Sequence, residues 1–189
     1  MKKVLVVSSS PRHDGNSDSL ANEFMRGAEE VGCVVEKIFL ADYSINYCTG
    51  CGVCFSCKRC FQHDDMSFLL EKMVQADAIV LATPVYFYNM SAQLKTFIDR
   101  CCPRYKEISD KEFYYILTQG EPHEYLMDRA VAALRSFAIH CLSGTVEKGI
   151  LRAVGVYTLG EVEKTKYLKQ AYAMGQGCNI SARTLELCK

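Results

Sequence analysis

Five short apolar runs, each followed by a segment with helical periodicity, constrain this chain more than any other feature. The runs are Met1–Val7, Cys33–Leu40, Ala78–Ala82, Phe113–Thr118 and Ile150–Tyr157. Ala78-Ile-Val-Leu-Ala82 contains no polar residue, the pattern of a strand buried on both faces rather than one with a wet side. Between the runs, Leu20, Phe24, Ala28 and Val31 form one helical stripe. Met66, Leu69, Leu70, Met73 and Val74 form a second, with Asp64 or Asp65 placed to cap it. A third opens at Ser91 and continues through Leu94, Phe97, Ile98 and Cys101. Leu126, Ala130, Leu134, Phe137 and Cys141 form a fourth, and a last helix spans roughly Lys164 to Gly175. Strand and helix alternating through short connections predict a doubly wound, five-stranded parallel sheet in a three-layer α/β/α arrangement. No linker, repeat or low-complexity tract interrupts the pattern, so residues 1–189 read as one domain, with one long loop after the second strand.

In such a sheet, ligands bind beyond the carboxyl ends of the strands, where the strand order reverses. The loop after the first strand reads Ser8-Ser-Ser-Pro-Arg-His-Asp-Gly-Asn-Ser17. A strand, a hydroxyl-rich loop and a helix N-terminus together favour an anion, because the helix begins with unpaired N–H groups and the positive end of its dipole. Ser9, Ser10, Asn16 and Ser17 add neutral donors, and Arg12 adds a planar cation that matches phosphate oxygens. Neither G-x-x-x-x-G-K-[ST] nor G-x-G-x-x-G occurs, so no NTPase loop or dinucleotide fingerprint is present. The loop after the third strand carries Pro84, Val85, Tyr86, Phe87, Tyr88 and Asn89, and the loop after the fourth carries Thr118, Gln119 and Gly120. An aromatic wall, backbone donors and a glycine suit a planar, phosphate-bearing cofactor. The plainer alternatives are a polar turn for the first loop, and a core cap or subunit contact for the aromatics.

These residues resemble the flavodoxin-like NAD(P)H-dependent FMN reductase family, in its branch of multimeric flavodoxins and iron–sulfur flavoproteins. Ser10-Pro11-Arg12 and Gly15-Asn16-Ser17 match the family's first loop, with Ser9 where the family has glycine. Pro84-Val85-Tyr86 followed by Lys95-Thr-Phe-Ile-Asp-Arg100 matches its second signature. The resemblance implies a flavodoxin-like fold and FMN as cofactor, with the FMN phosphate on Ser9, Ser10, Arg12, Asn16 and Ser17. It places the isoalloxazine on Pro84 to Asn89, and Thr118, Gln119 and Gly120 at its pyrimidine edge. It also implies electron transfer from NAD(P)H to a quinone, flavin or similar small-molecule or protein acceptor, in a homodimer or homotetramer. No side chain is required as an acid or base, since the flavin carries the chemistry.

Basic and acidic residues balance at 22 each, which gives no electrostatic footprint for nucleic acid or an anionic membrane. Lys2 and Lys3 precede only four apolar residues, and no run approaches a membrane span, so a cytoplasmic, reducing setting is expected. Eleven cysteines are many for that setting. Cys48, Cys51, Cys54, Cys57 and Cys60 recur at every third position in the loop 45–65, a spacing that can wrap the corners of an iron–sulfur cluster. The iron–sulfur flavoproteins that the chain resembles imply Cys48, Cys51, Cys54 and Cys60 as ligands of a [4Fe-4S] cluster, with Cys57 spare. That would make the chain an electron carrier reduced by a ferredoxin-type partner. Zinc and plain reduced thiols remain alternatives. If Cys48, Cys51, Cys54 and Cys60 hold a cluster, the loop from Ala41 to Asp65, which has few apolar residues of its own, is expected to be ordered only when the metal is present. Cys101 and Cys102 read as packing residues.

Overall fold

The apolar runs form strands β1 (Lys3–Ser8), β2 (Val34–Phe39), β3 (Ala78–Tyr86), β5 (Glu112–Thr118) and β6 (Val146–Ala153) in a computed structural model that describes residues 1–179. They pair in parallel in the order β2-β1-β3-β5-β6, and the two-residue β4 (Asn89–Met90) returns antiparallel against the end of β3. The helices are α1 (Asn16–Glu30), α2 (Val53–Cys57), α3 (Met66–Gln75), α4 (Ala92–Asp99), α5 (Asp128–Arg135) and α6 (Tyr167–Gln176). Alternate strand residues serve opposite layers. Val4 and Val6 pack with Leu20, Phe24 and Ala171 of α1 and α6, whereas Leu5 and Val7 pack with Leu69, Met73, Phe97 and Leu134 of α3, α4 and α5. The result is the expected three-layer, flavodoxin-like α/β/α fold. Helices α1 and α6 cross at close range through facing glycines. A Cβ on Gly27 would stand 2.1 Å from the Tyr172 carbonyl oxygen, and one on Gly175 would stand 2.0 Å from that of Phe24.

The last strand differs from the reading Ile150–Tyr157. It pairs with β5 from Val146 onward, passes an irregularity opposite Phe113 and Tyr114, and leaves the sheet after Ala153. Gly149 sits at that irregularity, where a Cβ would meet Met174 and Tyr114. Val154–Tyr157 looks equally strand-like in isolation, but the length of β5 decides where pairing stops. The stripe Leu126–Cys141 also divides, into a 3₁₀ turn at Glu124–Met127, helix α5, and a π-helical stretch at Ser136–Cys141.

The base of the cysteine loop is held by protein groups. The side chains of Arg100, directly after α4, and of Asp64 are both 2% exposed and form a two-pronged pair at 2.7 and 2.9 Å. The same guanidinium donates to the Asn46 carbonyl at 2.6 Å and to Gln62 Oε1 at 3.3 Å. Asp64 also accepts from the Asn46 and Met66 backbone N–H groups, and Asp65 accepts from that of Ser44. Burial pushes the Asp64 carboxyl pKa up, but hydrogen bonds from Arg100 and the backbone outweigh it and leave the value below the ordinary range. The anchor is polar, so a search for apolar residues overlooks it.

Candidate functional site

A cleft of about 1000 Å³ opens beyond the carboxyl ends of β1, β3, β5 and β6, beside the point where strand order reverses between β1 and β3. Of the residues assigned to the cofactor from the sequence, all but Ser9 and Asn89 line it. Ser9 is fully buried. Its hydroxyl donates to the Ala82 carbonyl at 2.8 Å and meets Ser91 Oγ at 3.0 Å, so it joins the first loop to β3 and α4 instead of facing a ligand. Asn89 accepts from the Met90 N–H at 2.8 Å and closes the β3–β4 turn.

The first loop is built for close backbone packing. Ser10 Oγ donates to the Arg12 carbonyl at 2.6 Å and accepts from the Arg12 N–H at 3.1 Å. A Cβ on Gly15 would stand 2.5 Å from Ser10 Oγ, so only glycine lets the loop fold this tightly. Buried Asp18 accepts from Ser8 Oγ at 2.6 Å and from the Asp14 N–H at 3.3 Å, and Lys37 lies 3.0 Å from its carboxylate. This arrangement fixes Asp14 in its left-handed conformation at φ +56°. Asn16 is committed to the protein: its amide donates to the Thr158 carbonyl at 2.9 Å, and its Oδ1 accepts from the Val162 N–H. Ser17 differs. Its hydroxyl is buried, borders the cleft at the start of α1, and has no hydrogen-bond partner among the described residues. Such an atom needs an acceptor or donor from outside the chain.

The aromatic wall stands on a two-residue hairpin. Val85 pairs with Met90 and Tyr86 with Asn89, leaving Phe87 and Tyr88 in the turn with φ of +48° and +64°. Two successive left-handed residues define a turn that favours Asn-Gly. Here bulky aromatics occupy it, and Phe87 is fully exposed. Across the cleft, the Gln119 amide donates to the Glu121 and His123 carbonyls at 3.1 and 2.8 Å, shaping the turn after β5. Tyr157 packs against Gly120, where a Cβ would meet its ring at 2.9 Å.

The sequence reading missed the fourth wall, formed by Val156, Tyr157, Thr158 and Leu159. Drawing the last strand through Tyr157 concealed this wall, although Thr158-Leu-Gly160 after a strand is a loop signal. Glu161 holds the segment, accepting from the Tyr157 and Thr158 backbone N–H groups at 2.6 and 2.9 Å. Hydrogen bonds from the Thr158 side chain and from these backbone groups keep its carboxyl pKa below the ordinary range.

The cysteines lie elsewhere. Cys48, Cys51, Cys54 and Cys60 line a second cavity of about 170 Å³ beside Arg100, joined there by Cys102. Cys57 turns away toward the Val53 and Arg59 carbonyls. Cys54 Sγ lies 3.6 Å from Cys102 Sγ. Burial, with added pressure from Cys102, pushes the Cys54 thiol up to about 11. Among the described residues, no three His, Cys, Asp or Glu side chains converge as a metal site, so the cluster ligands expected from the resemblance share a cavity without forming a cluster cage. Cys101 is buried and packs against Met73, as expected of a core residue, whereas Cys102 faces the thiol cavity.

Residues 2–155 match the family model described as NADPH-dependent FMN reductase. An iron-sulfur flavoprotein of Archaeoglobus fulgidus is 43% identical over 101 residues, which are 53% of this chain and 46% of that one. One of Methanocaldococcus jannaschii is 44% identical over 101 residues, 53% of this chain and 52% of that one. The chain thus spans about half the length of these two relatives. A solved NAD(P)H:quinone oxidoreductase from Methanothermobacter marburgensis superposes with a TM-score of 0.74 at 16% identity, covering 95% of this chain and 98% of that one, a likeness of fold.

Proposed function

The chain belongs to the NADPH-dependent FMN reductase family, and on that premise we propose that it is an FMN-dependent oxidoreductase passing electrons from NAD(P)H to a quinone, a flavin or a similar small acceptor. The observation that carries the reading is the buried, unpartnered Ser17 hydroxyl at the start of α1, inside a cleft whose first loop only glycine at position 15 allows to close. An FMN phosphate would take that hydroxyl, the opening N–H groups of α1 and the Arg12 guanidinium. The isoalloxazine would lie against Tyr86, Phe87 and Tyr88, with Thr118, Gln119 and Gly120 at its polar edge and Tyr157 opposite. When bound, FMN supplies hydride acceptance and one- or two-electron release. Asp18 and Glu161 are positioning residues that hold the first and last loops.

Only one phosphate-binding loop serves the cleft, so donor and acceptor take turns over one flavin face. Steady-state kinetics with NADPH and a soluble quinone tests this, with parallel double-reciprocal lines and one FMN per chain expected. Intersecting lines would overturn the shared-face arrangement, and protein that neither retains nor rebinds FMN would overturn the function. A cytoplasmic setting belongs to the same reading, and the exposed hairpin aromatics fit a homodimer or homotetramer. Among the described residues, no helix is long and apolar enough to cross a membrane.

A second reading, an electron carrier holding an iron–sulfur cluster, is favoured by the four loop thiols that line one cavity. Iron and acid-labile sulfide in anaerobically purified protein support it, and FMN without either rejects it.

A further inference from the structure

The 170 Å³ cavity lies outside the flavin cleft and contains a thiol from a different part of the chain. Cys102 stands just past Arg100 at the end of α4, and Cys54 lies on α2, 48 residues earlier in sequence. Both are partly exposed, and their sulfurs are 3.6 Å apart. The Arg100–Asp64 pair fixes the base of the loop to the end of α4, so this approach does not depend on anything bound in the cavity. A disulfide needs its sulfurs at about 2.0 Å, leaving a closure of roughly 1.6 Å that side-chain rotation at two partly exposed residues can provide. Cys57, the other thiol on α2, donates to the Val53 and Arg59 carbonyls and does not line the cavity that holds Cys102.

We propose that Cys54 and Cys102 form a reversible dithiol–disulfide site that staples the cysteine loop to the end of α4. The oxidant is a low-molecular-weight disulfide. One protein thiolate attacks it, forming a mixed disulfide and releasing one thiol. The second protein thiolate then attacks the protein sulfur of that mixed disulfide and releases the other thiol. Two protein thiols are oxidised and one disulfide is reduced to two thiols, so electrons and protons balance. In the oxidised state Cys54 is withdrawn from the loop thiols and is no longer free to ligate metal. The site is independent of FMN and stands or falls separately from the reductase reading.

The test exploits the exposed Lys58-Arg59 step between the two cysteines. Flavin-loaded protein is reduced, treated with chelator to strip loop metal, exposed to oxidised glutathione, and nicked with trypsin at low dose. Cleavage there places Cys54 and Cys102 on different fragments. The fragments are expected to migrate together without reductant and to separate with it. Cys54→Ser and Cys102→Ser are each expected to abolish the link while retaining the flavin absorption band, which reports an intact fold. Cys57→Ser is expected to keep the link. A link that survives either of the first two substitutions, or no link in the metal-free parent protein, overturns the assignment.

Discussion

Replacing Arg100 with Met removes the charge while keeping the length of the side chain, and it tests what orders the cysteine loop. The loss follows from what stays behind. Asp64 remains buried at 2% exposure with its two backbone donors, from Asn46 and Met66, but without a counter-charge. Removing one partner of a buried pair costs about 3–5 kcal/mol. The two surviving N–H bonds place this case near the lower end, at about 3 kcal/mol. For a chain of this size that corresponds to a fall in Tm of roughly 6–12 °C. Urea unfolding at saturating FMN measures it, with the midpoint moving and the slope unchanged. The pH dependence gives an independent check. Because the folded Asp64 pKa is depressed, the pair's contribution is full above the ordinary carboxyl value near 4 and is lost as pH falls through the lower folded value. The gap between parent and variant should therefore narrow on acidification. The double variant Asp64→Leu, Arg100→Met should recover part of the loss, since no buried charge is then stranded. A loss below about 1 kcal/mol at pH 7, or a gap that stays the same as the pH falls well below the ordinary carboxyl value, would refute the claim that this pair anchors the loop.

Arg12→Ala should weaken FMN binding by about 1.5–3 kcal/mol, roughly ten- to a hundredfold, with little effect on folding, as read by flavin-fluorescence titration of the apoprotein. Gly15→Ala forces a Cβ to within 2.5 Å of Ser10 Oγ and should raise the FMN dissociation constant at least tenfold in the same titration; an unchanged constant would mean that the loop can open at no cost. Substituting Asn-Gly for Phe87-Tyr88 relieves two left-handed non-glycine residues, each costing about 1–2 kcal/mol, and should raise Tm while raising KM for the acceptor. A fall in Tm would show that the turn is not strained.

What was legible in the sequence is what local chemistry determines. Ala78–Ala82 is buried whichever strands flank it, and the Ser10–Ser17 loop is shaped by its own Ser10, Arg12 and Gly15 contacts. What could not be read depends on partners distant in sequence. Asn16 resembles a free donor until folding brings Thr158, 142 residues away, to its amide. Ser9 resembles its serine neighbours, but the end of β3 places the Ala82 carbonyl beside its hydroxyl. Arg100 occupies the last position of a family-like motif and gives no local sign that it meets Asp64, 36 residues earlier. The frame of β6 depends on register with β5, which no property of Val154–Tyr157 reveals.

The hydrogen bonds at the two ends of α4 show how one helix anchors both loops. At its start, Ser91 caps the helix through the Leu94 N–H and also donates to the Ser9 carbonyl, tying the helix to the loop after β1. Past its end, Arg100 grips Asp64 and Asn46 and fixes the cysteine loop, with Cys102 two residues beyond. Eight residues of helix at 1.5 Å per residue separate these anchors by about 12 Å. Leu94 and Phe97, both fully buried, pack the helix between the anchors into the core, so neither loop can shift without disturbing that packing or breaking its own hydrogen bonds to the end of α4. The loop after β1 and the thiol cavity are therefore set at a fixed distance by one short, rigid element, even though they are built from segments far apart in sequence.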